Sequence, residues 1–144
     1  KRIGHKELQE LYMEDHGIRL EKEIIPALKD GTWAISDRYV FSGFTYGAAE
    51  GVDIEPLLKM TGSYLSPNII FYLSISAKEA MERIDKRGNP RHSIFEKEDS
   101  LSKNKEMYEK ILPQFQGLST INGEQSIEKV HEDILNTVKD KFSL

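Results

Sequence analysis

The sequence predicts an α/β protein with a mostly parallel sheet. Segments with helical periodicity alternate with short apolar runs along the chain. One run, Asn68-Ile69-Ile70-Phe71-Tyr72-Leu73, is continuously apolar after its first residue, as a strand covered on both faces is. A helix-start signal, the capping box Ser76-Ala77-Lys78-Glu79, follows that run almost at once.

In order, the first element is a long helix over residues 5–29, with Leu8, Tyr12, His16, Leu20, Ile24 and Leu28 forming a stripe spaced by four. Gly31 is placed to close it. Thr32-Trp33-Ala34-Ile35-Ser36 reads as a short strand that delivers Asp37-Arg38-Tyr39 to the sheet edge. A loop rich in Ser, Gly and Tyr runs from Phe41 to Gly51, and Asp53 can cap a helix carrying Ile54, Leu57, Leu58 and Met60. The apolar run at 68–73 is the second strand. The helix from Ser76 carries Ala77, Ala80, Met81 and Ile84 on one face and ends in the basic loop Lys86-Arg87-Gly88-Asn89-Pro90-Arg91. A polar helix over 97–112 turns Leu101, Tyr108, Ile111 and Leu112 inward. A weak strand from Leu118 to Ile121 turns at Asn122-Gly123, and a last helix starts near Ser126 with Ile127, Val130, Ile134, Leu135 and Val138. Three strands therefore alternate with helices, and ligands of such folds bind at the carboxyl ends of the strands.

The 144 residues suit one domain, and 38% hydrophobic residues can build a core. With no Cys, disulfides and thiolate metal sites are excluded. A net charge of −4 argues against a general nucleic-acid binder. No run approaches the ~18 apolar residues of a membrane span. The start, Lys-Arg-Ile-Gly-His, is polar and lacks a signal peptide's apolar centre. The expectation is a soluble cytoplasmic protein.

Asp37-Arg38-Tyr39 is the sharpest local feature. A carboxylate can hold Mg²⁺ directly or through water, and a guanidinium can hold phosphate bidentately. Side by side at a strand end they suit phosphoryl transfer, though an ion pair closing a strand uses the same residues. Arg87 and Arg91, past a helix end, could neutralise phosphate charge, while Arg83 and Lys86 fit the dipole of that helix's C-terminus. His16 interrupts an apolar stripe, either as a satisfied core histidine or facing a ligand pocket. Ser42-Gly43-Phe44-Thr45-Tyr46-Gly47 offers hydroxyls and aromatic rings to a nucleobase, or is a surface loop. The other histidines, His5, His92 and His131, show no metal-ligand spacing.

These residues, in this order, resemble the thymidylate kinase family. Ile25-Pro26-Ala27-Leu28-Lys29-Asp30-Gly31 followed by Ser36-Asp37-Arg38-Tyr39 is similar to the family's helix, strand and Asp-Arg-Tyr/His signature. Ser42 through Gly47 resembles its Ser-x-x-x-Tyr/Phe-x-Gly segment with a one-residue offset, and Gly51-Val52-Asp53 resembles its Gly-Ile/Leu-Asp. Pro67-Asn68-Ile69-Ile70-Phe71-Tyr72-Leu73 resembles its Pro-Asp-Leu-x-Leu-Tyr-Leu strand. Ala80-Met81-Glu82-Arg83-Ile84 with Lys86-Arg87-Gly88 and Arg91 resembles its lid approach, and Phe95-Glu96 and Tyr108 fall in register. The resemblance covers nearly the whole chain.

The resemblance implies a P-loop NTPase-like three-layer α/β/α fold with a parallel sheet. It implies one incomplete domain over residues 1–144 with a lid at about 86–96. It implies ATP-dependent phosphorylation of dTMP to dTDP, feeding dTTP biosynthesis, with ATP and Mg²⁺ as cofactors. Arg38 would hold the dTMP phosphate and Asp37 would act at the Mg²⁺ shell. His16, Ser42, Tyr46 and Gly47 would line the nucleoside pocket. Arg87 and Arg91 would close over the ATP phosphates and, with Asp37 and Arg38, form the catalytic set. The family is usually homodimeric, and the Leu8–Leu28 helix is the candidate dimer face. Nucleotides are the implied partners, not nucleic acid or membranes.

The chain departs from the family pattern in three places. His16 stands where an arginine is expected, and Gly47 follows Tyr46 without an intervening Gln or Thr. No Gly is followed by Lys, so no Gly-x-x-x-x-Gly-Lys-Ser/Thr loop is present. The family's first strand, P-loop helix and second strand would precede Lys1, and a βαβ unit takes ~30 residues or more. The expectation is a portion of a longer kinase, inactive alone. A kinase for another nucleotide or deoxynucleoside, and an inactive nucleotide-binding fragment or subunit of a split kinase, fit the same residues.

Overall fold

The computed structural model describes residues 3–87 and 98–144. Arg91 and residues 88–96 of the expected lid lie outside the described residues. The chain divides into two compact units, Lys1–Ser66 and Pro67–Leu144.

In the first unit, α1 spans His5–Arg19 and leads through a π-helical turn, Leu20–Ile24, into α2, Ile25–Lys29. The π turn has a local cause. Pro26 has no N–H for the Lys22 carbonyl and its ring crowds that carbonyl. The backbone instead widens, and Ile25 N donates to the Leu20 carbonyl five residues back. The helix closes at Gly31 as expected: Gly31 N donates to Leu28 O at 3.1 Å and Thr32 N to Ala27 O at 2.9 Å.

Of the expected stripe only Leu20 is buried. Gln9, Met13 and Leu20 are buried, whereas Tyr12 is 52% exposed and Leu28 39%. Residues spaced by four advance about 400° on an α-helix and so drift around it. Six positions linked by five such steps cannot share one face.

The Ser/Gly/Tyr-rich segment is α3, Val40–Ala49, rather than a loop. Val40, Phe41, Phe44 and Thr45 form its buried face. Fully burying a side chain such as Phe44 is worth about 1.5–3 kcal/mol, more than the ~1 kcal/mol each helical glycine costs. Its glycines also let α1 come close. A Cβ on Gly43 would stand 2.0 Å from Met13 Cε, and one on Gly47 3.4 Å from Gln9 Cγ. A short helix α4, Glu55–Met60, follows. Asp53 serves its start from one residue further out than a cap, its Oδ1 accepting from Glu55 N at 3.1 Å.

The strand expected at residues 32–36 is not formed. Ile35 is 96% exposed and Trp33 57%. A strand exists only through a neighbour's hydrogen bonds, and among the described residues the paired strands are the two of the second unit.

That unit contains β1, Ile70–Ser74, then α5, Ala77–Lys86, α6, Glu98–Ile111, a 3₁₀ turn at Leu112–Gln114, β2, Leu118–Asn122, and α7, Ile127–Phe142. The strands are parallel, with Ile70 opposite Leu118 and Ser74 opposite Asn122. The α/β class with a parallel sheet is therefore correct, with two strands among the described residues instead of three. Ser76 caps α5 by accepting from Glu79 N at 3.2 Å. The reciprocal half of the box goes elsewhere: Ser76 N donates to Glu124 Oε1 at 2.7 Å, and Glu79 holds Arg83. Ser126 caps α7 through Lys129 N at 3.2 Å. No helix of the described residues is long and apolar enough to cross a membrane.

Candidate active site

Arg38 carries an unusual backbone. Its φ is +66°, a left-handed conformation shared among described non-glycine residues only with Ser143 at the chain end. For an L-residue this costs about 1–2 kcal/mol. The conformation is held from both sides. Ser36 Oγ donates to the Arg38 carbonyl at 2.6 Å. Tyr39 Oη donates to the Leu65 carbonyl at 3.0 Å, and the Tyr39 ring meets His16 at 5.5 Å and Phe41 at 5.9 Å between centroids.

From this backbone the guanidinium runs along the first turns of α3. Arg38 Nη1 donates to Ser42 Oγ at 3.4 Å, and the guanidinium carbon lies over the Tyr46 ring at 5.5 Å from its centroid. Residues 38, 42 and 46 are spaced by four, which brings them to one side of the helix entry. A cation, a hydroxyl and an aromatic ring thus stand together, the side chain of Arg38 exposed and those of Ser42 and Tyr46 half-buried. Such a set can hold a phosphate through the guanidinium and a flat base against the ring.

His16, half-buried on α1, meets the ring of Tyr39, the residue after Arg38. Burial pushes its pKa below the usual histidine value, the Arg19 charge pushes the same way, and Asp15 opposes them. The ring is therefore neutral near pH 7 and can offer one donor and one acceptor. Burial raises the Tyr39 pKa, with Tyr64 adding to it, so its hydroxyl stays protonated and donating. Gly47 is not brought to the cluster: it is buried against Gln9 and Val52, on the side of α3 that packs on α1.

Asp37 is exposed next to Arg38. No three His, Cys, Asp or Glu side chains converge on a possible ion among the described residues. One exposed carboxylate beside a guanidinium is a donor set that fits Mg²⁺, which commonly takes one or two carboxylates and completes its shell with water and phosphate oxygens.

Arg87, in the second unit, ends α5 and is exposed. Arg83 is tied into the structure: Nε donates to Glu79 Oε1 at 2.7 Å and Nη2 to the Gly123 carbonyl at 2.8 Å. It borders a groove of about 660 Å³ at the carboxyl ends of β1 and β2, with Leu73, Ile75, Gln125, Ile127 and Val130. This groove and the Ser36–Tyr39 clamp are what sequence reasoning missed. The only signals for them were the Asn122-Gly123 turn and the tyrosine of the Asp-Arg-Tyr triplet.

A family model described as thymidylate kinase matches residues 1–134. The "Probable thymidylate kinase" of Thermococcus gammatolerans is 33% identical over 142 residues, which is 98% of this chain and 67% of that protein. That of Thermococcus onnurineus is likewise 33% identical, over 98% of this chain and 68% of its own length. The "Thymidylate kinase" of Leptospira interrogans is 30% identical over 96% of this chain and 70% of its own.

Proposed function

The chain belongs to the thymidylate kinase family, and on that premise we propose that it takes part in transferring the γ-phosphoryl group of ATP to the phosphate of dTMP. The observation that carries the proposal is the cluster of Arg38, Ser42 and Tyr46, a phosphate-holding cation over an aromatic ring on one side of α3.

In the proposed reaction an oxygen of the dTMP phosphate forms a bond to the γ-phosphorus as the bond to the β–γ bridging oxygen breaks. Little covalent work falls to the protein, so positioning and charge neutralisation carry the catalysis. Arg38 holds the acceptor phosphate by its in-plane N–H donors. Ser42, Tyr46 and neutral His16 receive the nucleoside, and Gly47 serves by letting α3 lie close to α1. Asp37 would hold Mg²⁺ through its carboxylate. When bound, that cation neutralises phosphate charge. Arg87 and Arg91 offset charge on the donor phosphates, and the apolar groove beside Arg83 is a seat for the donor's base. Action as a cytoplasmic homodimer is part of the proposal, with Leu11, Tyr12 and Ile18 of α1 exposed at 47, 52 and 53% as the apolar face.

The test is a binding panel of dTMP, dUMP and deoxynucleosides on residues 1–144. Preference for dTMP is the expected outcome; preference for an unphosphorylated nucleoside overturns the reading. One observation favours a different nucleotide acceptor: the neutral His16 stands where the family resemblance leads one to expect a permanent cation, and the dUMP arm answers it. Residues 1–144 alone, which contain no Gly-x-x-x-x-Gly-Lys-Ser/Thr loop, are expected to bind dTMP without phosphorylating it.

A further inference from the structure

We propose that Ser36 and Tyr39 are positioning residues that hold Arg38 in its left-handed backbone and so set the aim of its guanidinium. The proposal rests on the reading of Arg38 as the seat of the acceptor phosphate.

The argument begins from the φ of +66° at Arg38. An arginine gains nothing locally from this conformation, so neighbouring contacts must impose it. Two are present, one on each side in sequence. Before it, the Ser36 hydroxyl donates to the Arg38 carbonyl at 2.6 Å, closing a tight turn around Asp37. After it, Tyr39 is extended, with φ −148° and ψ −166°, and stands immediately before α3. Its hydroxyl is tied to the Leu65 carbonyl, far along the chain, and its ring is held by His16 and Phe41. With residues 36 and 39 fixed, the chain between them has little freedom left. The product is a side chain that already touches Ser42 and overlies Tyr46. Preorganisation of this kind lowers the ordering cost of binding a phosphate.

The Ser36 hydroxyl bonds the backbone of Arg38, and the Tyr39 hydroxyl bonds Leu65 rather than a side chain of the proposed seat, so their effect passes through Arg38, and this gives the test. Binding of dTMP and of thymidine, which lacks the phosphate, is measured by calorimetry on the full chain. Ser36→Ala and Tyr39→Phe are each expected to weaken dTMP binding by about 3–10-fold, the scale of one lost hydrogen bond. Thymidine binding stays unchanged. In an Arg38→Ala background both substitutions lose their effect on dTMP. Equal losses for dTMP and thymidine, or an undiminished loss in the Arg38→Ala background, would mean a general structural role and overturn the proposal. Unchanged dTMP affinity in both variants, with Arg38→Ala still weakening it, overturns the clamp and spares the phosphate seat. Unchanged dTMP affinity in Arg38→Ala overturns both. Tyr39→Phe keeps the ring between His16 and Phe41, and melting curves confirm that each variant is folded.

Discussion

The guanidinium carbon of Arg38 lies 5.5 Å from the centroid of the Tyr46 ring, eight residues further along the chain. A guanidinium over a ring is engaged through its face. Its N–H groups lie in the plane, where Nη1 meets Ser42 Oγ and where a guanidinium's fork matches the oxygens of a phosphate. The ring thus orients the cation without competing for the bonds a ligand would use.

Arg38→Ala is expected to weaken dTMP binding by about 1.5–3 kcal/mol, the range for a charge-assisted hydrogen bond. Arg38→Lys should recover only part of this, since an ammonium is a point charge without the fork. Titration calorimetry checks both. Full recovery by lysine would mean that charge alone matters at this position.

Replacing Arg38 with Gly separates stability from function. Glycine adopts a positive φ freely, whereas alanine keeps the strain. Arg38→Gly should be more stable than Arg38→Ala by about 0.5–1 kcal/mol, with dTMP binding weakened alike in both. Denaturant unfolding reads the difference. Equal stabilities would show that the backbone relaxes when the side chain is removed.

Gly117 is a second position set by the backbone. Its φ is +80°, and a Cβ there would stand 2.7 Å from the Asn68 carbonyl oxygen, with Gly117 O accepting from Ile70 N at 2.8 Å. Gly117→Ala combines left-handed strain with a clash against backbone, and is expected to cost about 2–3 kcal/mol. A melting temperature equal to the parent's would contradict this.

His16 makes stability depend on pH. Its pKa is lowered in the folded chain, chiefly by burial, so below pH 6.5 the unfolded state binds the proton more readily. The neutral ring's contribution is complete above pH 6.5 and is lost as pH falls from there through the lowered folded value. His16→Gln should flatten the fall in melting temperature on acidification below pH 6.5. An identical pH profile in the variant would remove His16 as its cause.

Much of the fold was legible because its signals are local. The capping residues Ser76 and Ser126, the closing Gly31 and the apolar run at 68–73 act within a few residues, and each appears where the sequence puts it. The failures share a non-local cause. Residues 32–36 have a strand's composition, but a strand needs a partner. The segment after Phe41 has a loop's composition, but its glycines are what let α3 pack on α1. At the site, the Asp-Arg-Tyr triplet marked the right place. The left-handed arginine did not show, because it depends on the carbonyl of Leu65, 26 residues after Tyr39.

The π turn at Leu20–Ile24 has a consequence for the helix that contains it. Each residue of an α-helix rotates about 100°, and a wider turn accommodates one extra residue without advancing the far end by that full step. The turn therefore works as a phase shifter: it sets the azimuth of Ile25–Lys29 against that of His16 and Met13. Replacing Pro26 with Ala would return the missing N–H and allow a uniform helix over the same residues. It would leave the two halves facing the directions that an unbroken spiral dictates, so Pro26 and its π turn act as a joint that lets one rod serve two orientations.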